Sequence, residues 1–152
     1  EKTAHDVLTP RSVVFSLNIN SFLDENLLKK IKESGFTRIP VYKNKTDNII
    51  GLLYSKDLIG FHGKKKIRDL YRKKNLLRVS PEKKLDMLIN DFIKKRIHLA
   101  FVFNKYGEFM GLVTLEDIVE EVLKTEIVDE DDHVVDLQKL AKTKASSKSL
   151  KR

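Results

Sequence analysis

Apolar and polar positions follow the same order twice along the chain. Five-residue apolar strands are predicted at Arg38–Tyr42 and Leu99–Phe103, and each is followed by a polar turn and a second apolar run. Before each strand, apolar residues recur at the spacing of an amphipathic helix, and helical spacing returns after each second run. Each cycle therefore predicts helix, strand, turn, strand and helix.

The second apolar runs are nearly the same sequence. Ile50–Leu58 reads Ile-Gly-Leu-Leu-Tyr-Ser-Lys-Asp-Leu, and sixty residues later Met110–Ile118 reads Met-Gly-Leu-Val-Thr-Leu-Glu-Asp-Ile. A glycine inside a strand indicates close approach by another backbone or by a ligand, so we expect one at Gly51 and at Gly111. One unit of this size cannot bury its own sheet, and the two copies are expected to pack face to face into one domain.

The helices that precede the first strands carry start and stop signals. In the first copy Ser21 is the expected N-cap, with Asp24 three residues on, and Gly35 is expected to end the helix. In the second copy Ser80 is the expected N-cap and Pro81 the first helical residue. The expected apolar stripes are Leu23, Leu27, Leu28 and Ile31 in the first helix, and Leu85, Leu88, Ile89, Phe92 and Ile93 in the second.

Length and composition predict one domain. The chain has 152 residues, of which 41% are apolar, and no run approaches the roughly 20 apolar residues of a membrane span. No signal-peptide pattern is present either, and we expect the piece to be soluble. Because it does not begin with methionine, we expect it to be an excised fragment. With no cysteine, disulfides and thiolate chemistry are excluded.

The net charge of +8 is unevenly distributed, since residues 136–152 alone contribute +5. We expect residues 125–152 to form an acidic and then basic tail that is partly disordered. Residues 63–75 form a basic linker between the copies, for which solvation is expected and contact with anionic lipid is the alternative. Nucleic acid is not an expected partner, because no aromatic residues interleave with the charges.

Catalytic and metal-binding patterns are missing from the sequence. The four histidines are scattered, and there is no phosphate loop, nucleophile elbow or dinucleotide fingerprint. The acidic stretch at residues 126–132 could attract a cation loosely, although a solvated face is expected there. We predict neither enzyme activity nor a metal site.

Thr114 and Asp117 lie at the start of the last predicted helix, and two interpretations of them stay open. Free N–H groups and the positive end of the helix dipole can bind an anion at that position. Thr-x-x-Asp is also a capping box, in which the two side chains satisfy the helix's own amides. The residues alone do not separate a binding site from a cap.

The paired pattern resembles the tandem cystathionine β-synthase (CBS) repeat, or Bateman module, over about residues 7–124. The resemblance rests on an apolar strand with Pro-Val, then Gly, two apolar residues, Thr or its substitute, two residues and Asp. It implies an α/β (α+β) fold in which two β-α-β-β-α repeats, at residues 1–62 and 76–124, pack by pseudo-twofold symmetry. The flanking segments Val7–Arg11, Glu126–Glu130 and Asp136–Ala141 are similar to the hemolysin-like, CorC and cyclin M (CNNM) group, which carries a DUF21 transmembrane domain ahead of the pair.

The resemblance implies a cleft for an adenosine nucleotide, either ATP or AMP, with or without Mg²⁺. In such modules the aspartate, here Asp117, accepts both ribose hydroxyls, and the hydroxyl of Thr114 donates toward phosphate. Arg38 would add charge for phosphate, and Ile39 with Val14 would form an apolar wall for the base. The implied set is Thr9, Val14, Thr37, Arg38, Ile39, Pro40, Thr114, Glu116 and Asp117.

A second and weaker cleft is implied around Asp57, with Ser55 and His98. It departs from the family pattern because Tyr54 stands where threonine or serine is usual. We expect this cleft to be empty or apolar, with Tyr54 and Phe101 filling the space.

The function that the resemblance implies is regulatory. The module would form a homodimer through its helices, sense the nucleotide and bias its own upstream DUF21 domain, which moves Mg²⁺ or Co²⁺, from the cytoplasmic face of the inner (plasma) membrane. The alternative is a structural dimerisation module with vestigial clefts, which the inequality of the two clefts favours.

Overall fold

A computed structural model describes residues 1–73 and 76–129 of the chain. Its α-helices are α1 (Ala4–Val7), α2 (Glu25–Ser34), α3 (Leu85–Lys95) and α4 (Leu115–Asp129). Its strands are β1 (Thr9–Pro10), β2 (Leu17–Asn18), β3 (Phe22–Leu23), β4 (Arg38–Tyr42), β5 (Ile49–Tyr54), β6 (Lys65–Lys66), β7 (Leu77–Val79), β8 (Leu99–Phe103) and β9 (Phe109–Thr114). Short 3₁₀ turns cover Ser55–Leu58 and Ile67–Asp69.

The two predicted repeats form two mixed sheets, which confirms the fold class. In the first sheet the strand order is β2-β4-β5, and in the second it is β1-β9-β8-β7. In each sheet the strands on either side of the helix are parallel, β2 with β4 and β7 with β8. An antiparallel hairpin follows the helix, β4 with β5 and β8 with β9. The predicted strands β4 and β8 have the expected bounds.

The closing helix of the first repeat is much shorter than expected. Where the second repeat continues into α4, the first has only the 3₁₀ turn Ser55–Leu58. Ile59 is already extended, and Gly60 follows with a φ of 79°. Because this backbone geometry cannot continue a right-handed helix, the full helix predicted after Ile50–Leu58 is wrong.

The predicted start of α2 is also wrong, whereas its end is confirmed. The N-cap is Asp24, whose Oδ1 accepts from the N–H of Leu27 at 2.8 Å, and not Ser21. Ser21 precedes a strand instead, because β3 pairs with β6 and holds the chain extended up to Leu23. Gly35 ends the helix in the left-handed conformation, with a φ of 73°.

The second repeat's helix, α3, begins at Leu85, so the predicted Ser80 cap and Pro81 start are wrong. Ser80 instead begins a turn, in which its carbonyl accepts from the N–H of Lys83. The N-terminal segment holds the next residues extended, since Thr3 pairs with Lys84. On the helix itself Leu85, Leu88 and Phe92 are buried, whereas Ile93 is exposed and does not belong to the buried stripe.

Each repeat has its own core, and a third apolar cluster joins the repeats. The first core lies between α2 and the first sheet, and the second lies between α3, the start of α4 and the second sheet. We call the third the inter-repeat cluster, and its buried members come from both hairpins: Ile49, Leu52, Leu99, Phe101, Phe109 and Leu112. The expected face-to-face packing is therefore confirmed within residues 1–118.

Both strand glycines lie against another backbone, as predicted. A side chain at Gly51 would collide with the main-chain carbonyl of Arg72, and one at Gly111 would collide with that of Thr9. The segment around Arg72 thus lies beside β5 as β1 lies beside β9. This pair of contacts is a further sign of internal symmetry.

A polar contact links the leading segment to both hairpins. The Arg11 guanidinium donates to Asp47 Oδ1 at 2.8 Å and to Thr46 Oγ1 at 2.6 Å. The same Asp47 oxygen accepts from the N–H of Phe109 at 3.0 Å. Three distant parts of the chain are fixed together by one carboxylate.

Residues 1–118 form one compact unit, and a second unit begins at Val119. Helix α4 continues to Asp129, past the boundary predicted at residue 124. Within residues 1–73 and 76–129, no helix is both long enough and apolar enough to cross a bilayer. The predictions for the side chains at 126–132, for most of the tail and for linker residues 74–75 lie outside the described residues.

Candidate nucleotide site

The junction of β9 and α4 forms a reciprocal capping box. The N–H of Thr114 donates to Asp117 Oδ2 at 3.1 Å, and the N–H of Asp117 donates to Thr114 Oγ1 at 3.2 Å. Both residues are half-buried. These two hydrogen bonds therefore confirm that Thr-x-x-Asp forms a capping box.

The capping box leaves part of the hydrogen-bonding capacity of Thr114 and Asp117 unused. Among the described residues, Asp117 Oδ1 accepts no hydrogen bond, and Asp117 forms no ion pair. The Thr114 hydroxyl acts as an acceptor in the cap, so its own proton is still available for donation. A carboxylate oxygen and a hydroxyl donor at a helix N-terminus suit a ligand that carries both hydroxyl and phosphate groups.

Strand register places several predicted residues on the face between the repeats. Residues directly opposite each other across a ladder share a face, and successive residues alternate. Thr9 is opposite Leu112, and Pro40 is opposite Leu52, both members of the inter-repeat cluster. By alternation, Arg38 lies on the same face as Pro40, and Thr114 lies on the same face as Leu112. Val14 packs against the cluster.

Ile39 does not belong to this face. It is opposite Leu53, and its side chain is fully buried in the core of the first repeat. Because neighbouring strand residues point to opposite sides, Arg38 and Ile39 cannot both present side chains to the same cleft. The prediction that the Ile39 side chain forms a wall for the base is wrong, and only its main chain could contribute.

A cavity of about 180 Å³ lies between the repeats. It brings together Arg38 and His98, which were predicted for different clefts, and its other lining residues are Leu52, Tyr54, Arg96, Ile97 and Leu99. Thr37 does not line this cavity; together with Ser55 it lines a groove beside α2. Glu116 is exposed on α4. Within residues 1–118, Arg38 is thus the predicted cation that faces the space between the repeats.

The cleft around Asp57 is occupied by an ion pair. Arg72 donates from Nε to Asp57 Oδ2 at 2.9 Å and from Nη2 to Asp57 Oδ1 at 2.6 Å. Its guanidinium also lies 4.6 Å from the centre of the Tyr54 ring. The hydrogen bonds to Asp57 raise the pKa of Arg72 above its usual value. The expectation of an apolar cleft is wrong, because a charged pair lies there, whereas the absence of nucleotide from it stays a prediction. Phe101 is buried as predicted.

The comparisons with known proteins agree with this architecture. The family model described as "CBS domain" matches residues 4–63 and 67–124. The chain is 35% identical, over 99% of its length, to the magnesium and cobalt efflux protein CorC of Buchnera aphidicola subsp. Acyrthosiphon pisum, of which it spans 52%. The chain thus covers about half the length of that curated relative.

Solved structures show the same fold. The CBS domain of the bacterial CNNM/CorC family Mg²⁺ transporter in complex with ATP superimposes with a TM-score of 0.71 at 27% identity, covering 80% of this chain and 87% of that one. A CBS-domain pair with bound AMP from Klebsiella pneumoniae gives 0.67 at 22% identity, covering 81% and 99%, and this likeness supports the fold alone. These names describe transport and nucleotide binding, and none describes catalysis.

Proposed function

We propose that this chain, which belongs to the CBS-domain family as a tandem pair, binds an adenosine nucleotide in the cleft around Asp117. Nucleotide binding would thereby regulate an attached membrane domain. ATP is a proposed ligand because a CNNM/CorC CBS domain that is 27% identical to this chain is described in complex with it. AMP, which the family resemblance also implies, would present the same ribose to the cleft. The proposed contacts are the side chains of Thr9, Val14, Arg38, Thr114 and Asp117.

The observation that carries the proposal is the unequal use of the two repeat aspartates. In the helix cap, Asp117 accepts a hydrogen bond through Oδ2, so Oδ1 can accept from a ribose hydroxyl. Asp57 has both oxygens bound by Arg72. A carboxylate oxygen can accept two hydrogen bonds, but a ribose at Asp57 would have to compete with the charged Arg72 for both oxygens. The second repeat therefore offers the better site.

Replacing Asp117 will remove nucleotide binding. In Asp117→Ala, the affinity for ATP or AMP, measured by calorimetry with and without Mg²⁺, should fall at least about tenfold, because hydrogen bonds to a charged group are lost. The free energy of unfolding should fall by about 1 kcal/mol, since the cap is lost as well. Asp86→Ala is the matched control, as Asp86 is an exposed acid in the first turn of α3.

Asp117→Asn separates binding from capping. Its amide oxygen can still accept from the N–H of Thr114, so stability should stay within about 0.5 kcal/mol while the carboxylate charge is lost. Weakened binding in this stable variant supports the nucleotide site. If the native chain gives no heat with any nucleotide, the proposal fails.

The second candidate function is a structural module with vestigial clefts. The reciprocal capping box favours it, because both Thr114 and Asp117 have a structural role without any ligand. Under this account Asp117→Ala changes stability alone. The two candidates therefore differ in the calorimetric result and not in the unfolding result.

We also propose a homodimer that forms through the uncovered side of the first repeat. Because the closing helix is missing there, a groove of about 610 Å³ opens beside α2. Its lining is largely apolar and includes Leu28, Ile31, Phe36, Leu58, Ile59 and Phe61. Ile59 is 86% exposed, which suits a residue that a second copy covers.

Ile59→Glu should convert the dimer into a monomer in sedimentation equilibrium. Folding should be unaffected, since the side chain is exposed in the single chain. Tyr106→Glu is the matched control, because Tyr106 is similarly exposed, at 76%, but lies on the β8–β9 turn. A dimer that survives Ile59→Glu would place the interface on another face.

The attached membrane domain is the partner that the proposed regulation requires. This chain spans 52% of its CorC relative, and we propose that a DUF21-type domain upstream accounts for the difference and moves Mg²⁺ or Co²⁺. The module would then lie on the cytoplasmic side of the membrane. Nucleotide can regulate it only by binding two states of the module with unequal affinity.

A further inference from the structure

The two clefts differ at one symmetry-related position. Leu52 follows Gly51 as Leu112 follows Gly111, and both leucines pair with a residue of the segment alongside. The partner of Leu112 is Thr9, and the partner of Leu52 is Arg72. Arg72 therefore occupies in the first repeat the place that Thr9 occupies in the second.

The backbone of Arg72 is fixed independently of its side chain. Its N–H donates to the carbonyl of Leu52 at 2.7 Å, and its carbonyl accepts from the N–H of Leu52 at 2.9 Å. Gly51 permits this approach because it has no side chain. A substitution at position 72 can therefore change the cleft while the strand contact is kept.

The side chain of Arg72 points to the aspartate that a nucleotide would need. Asp57 comes six residues after Gly51, as Asp117 comes six residues after Gly111. The planar guanidinium binds the Asp57 carboxylate in a two-pronged fashion, at 2.9 and 2.6 Å, and stacks on Tyr54. This geometry is the one that an arginine and a carboxylate favour most.

We infer that Arg72 is an internal occupant that keeps nucleotide out of the Asp57 cleft, so that the CBS pair has one binding site. The inference rests on the proposed function of the Asp117 cleft. A ribose would have to compete for both carboxylate oxygens with a cation that already binds them, and it brings no charge to compensate. Thr9, with its short neutral side chain, sets no such barrier at Asp117.

The opposite role for Arg72 is the competing outcome. A guanidinium beside a cleft can also bind phosphate, and Arg72 would then assist a nucleotide at Asp57 rather than exclude it. The two roles predict opposite effects of removing the side chain. The number of bound nucleotides distinguishes them, and a purely structural ion pair would not change it.

Counting bound ATP by equilibrium dialysis tests the inference. The native chain should bind about one ATP and Arg72→Thr about two, because the freed Asp57 can accept hydrogen bonds as Asp117 does. In an Asp117→Ala background, the same substitution should restore binding from none to about one. Adding Asp57→Ala should abolish the restored site. Arg72→Gln, which is closer in size, serves if Arg72→Thr does not fold.

The outcomes separate this inference from the proposed function. If the native chain binds ATP but Asp117→Ala with Arg72→Thr does not, the inference is overturned while the Asp117 site stands. If only the Arg72 variants bind ATP, the inference stands and the proposed Asp117 site is wrong. A gain of sites with Tyr54→Thr and none with Arg72→Thr would assign the exclusion to Tyr54 and overturn the inference.

Discussion

Replacing Phe101 with alanine will lower the free energy of unfolding by about 3–5 kcal/mol. Phe101 is 1% exposed and lies in the inter-repeat cluster, where residues of both hairpins meet. Its ring centre is 6.2 Å from that of Phe109. The truncation removes buried apolar area and leaves a cavity at the contact that holds the repeats together. Urea unfolding of the native chain and Phe101→Ala measures the loss.

Tyr106→Ala is the control for this measurement. Tyr106 is an aromatic residue on the adjoining turn and is 76% exposed. Its truncation should change the free energy of unfolding by no more than about 0.5 kcal/mol. Equal losses for the two variants would contradict the assignment of Phe101 to a shared core.

Gly111→Ala will also be strongly destabilising, by about 4 kcal/mol, because two penalties add. The new methyl group would collide with the main-chain carbonyl of Thr9, and the backbone at Gly111 has a φ of 153°, which L-residues rarely adopt. Relief requires β1 to move away from β9. Nucleotide affinity should fall too, since Thr9 is carried by β1. Thermal unfolding and calorimetry measure the two effects.

Gly107→Ala isolates the penalty of backbone conformation alone. Gly107 has a φ of 78°, and nothing lies within 4 Å of the position of an added methyl group. This substitution should lower stability by about 1 kcal/mol and leave nucleotide affinity unchanged. If Gly111→Ala is no worse than Gly107→Ala, then the close packing of β1 on β9 is not important for stability.

The sequence predicted features that arise from local pattern or from internal repetition. The bounds of β4 and β8, the turn between each hairpin pair and the close contacts at Gly51 and Gly111 all follow from such signals. The starts of α2 and α3 were wrong because distant segments override the local caps. Lys84, for example, is held extended by Thr3, some eighty residues away, which no local window can show.

The candidate site was predictable to a similar degree. Thr114 and Asp117 were identified from their spacing, whereas the direction of Ile39 required the strand register. Arg72 was missed because its ion pair with Asp57 depends on how the linker lies beside β5. A signal did exist, since the repeat alignment places Tyr71-Arg72 opposite Leu8-Thr9 when it is extended backwards with a gap of three residues.

A crystal structure of the chain grown with ATP tests the central claim most directly. The account predicts nucleotide density in the cleft between the repeats, with the ribose hydroxyls on Asp117 Oδ1 and the Arg72–Asp57 pair intact. Density with the ribose on Asp57, or crystals that stay free of nucleotide at saturating ATP, would contradict it.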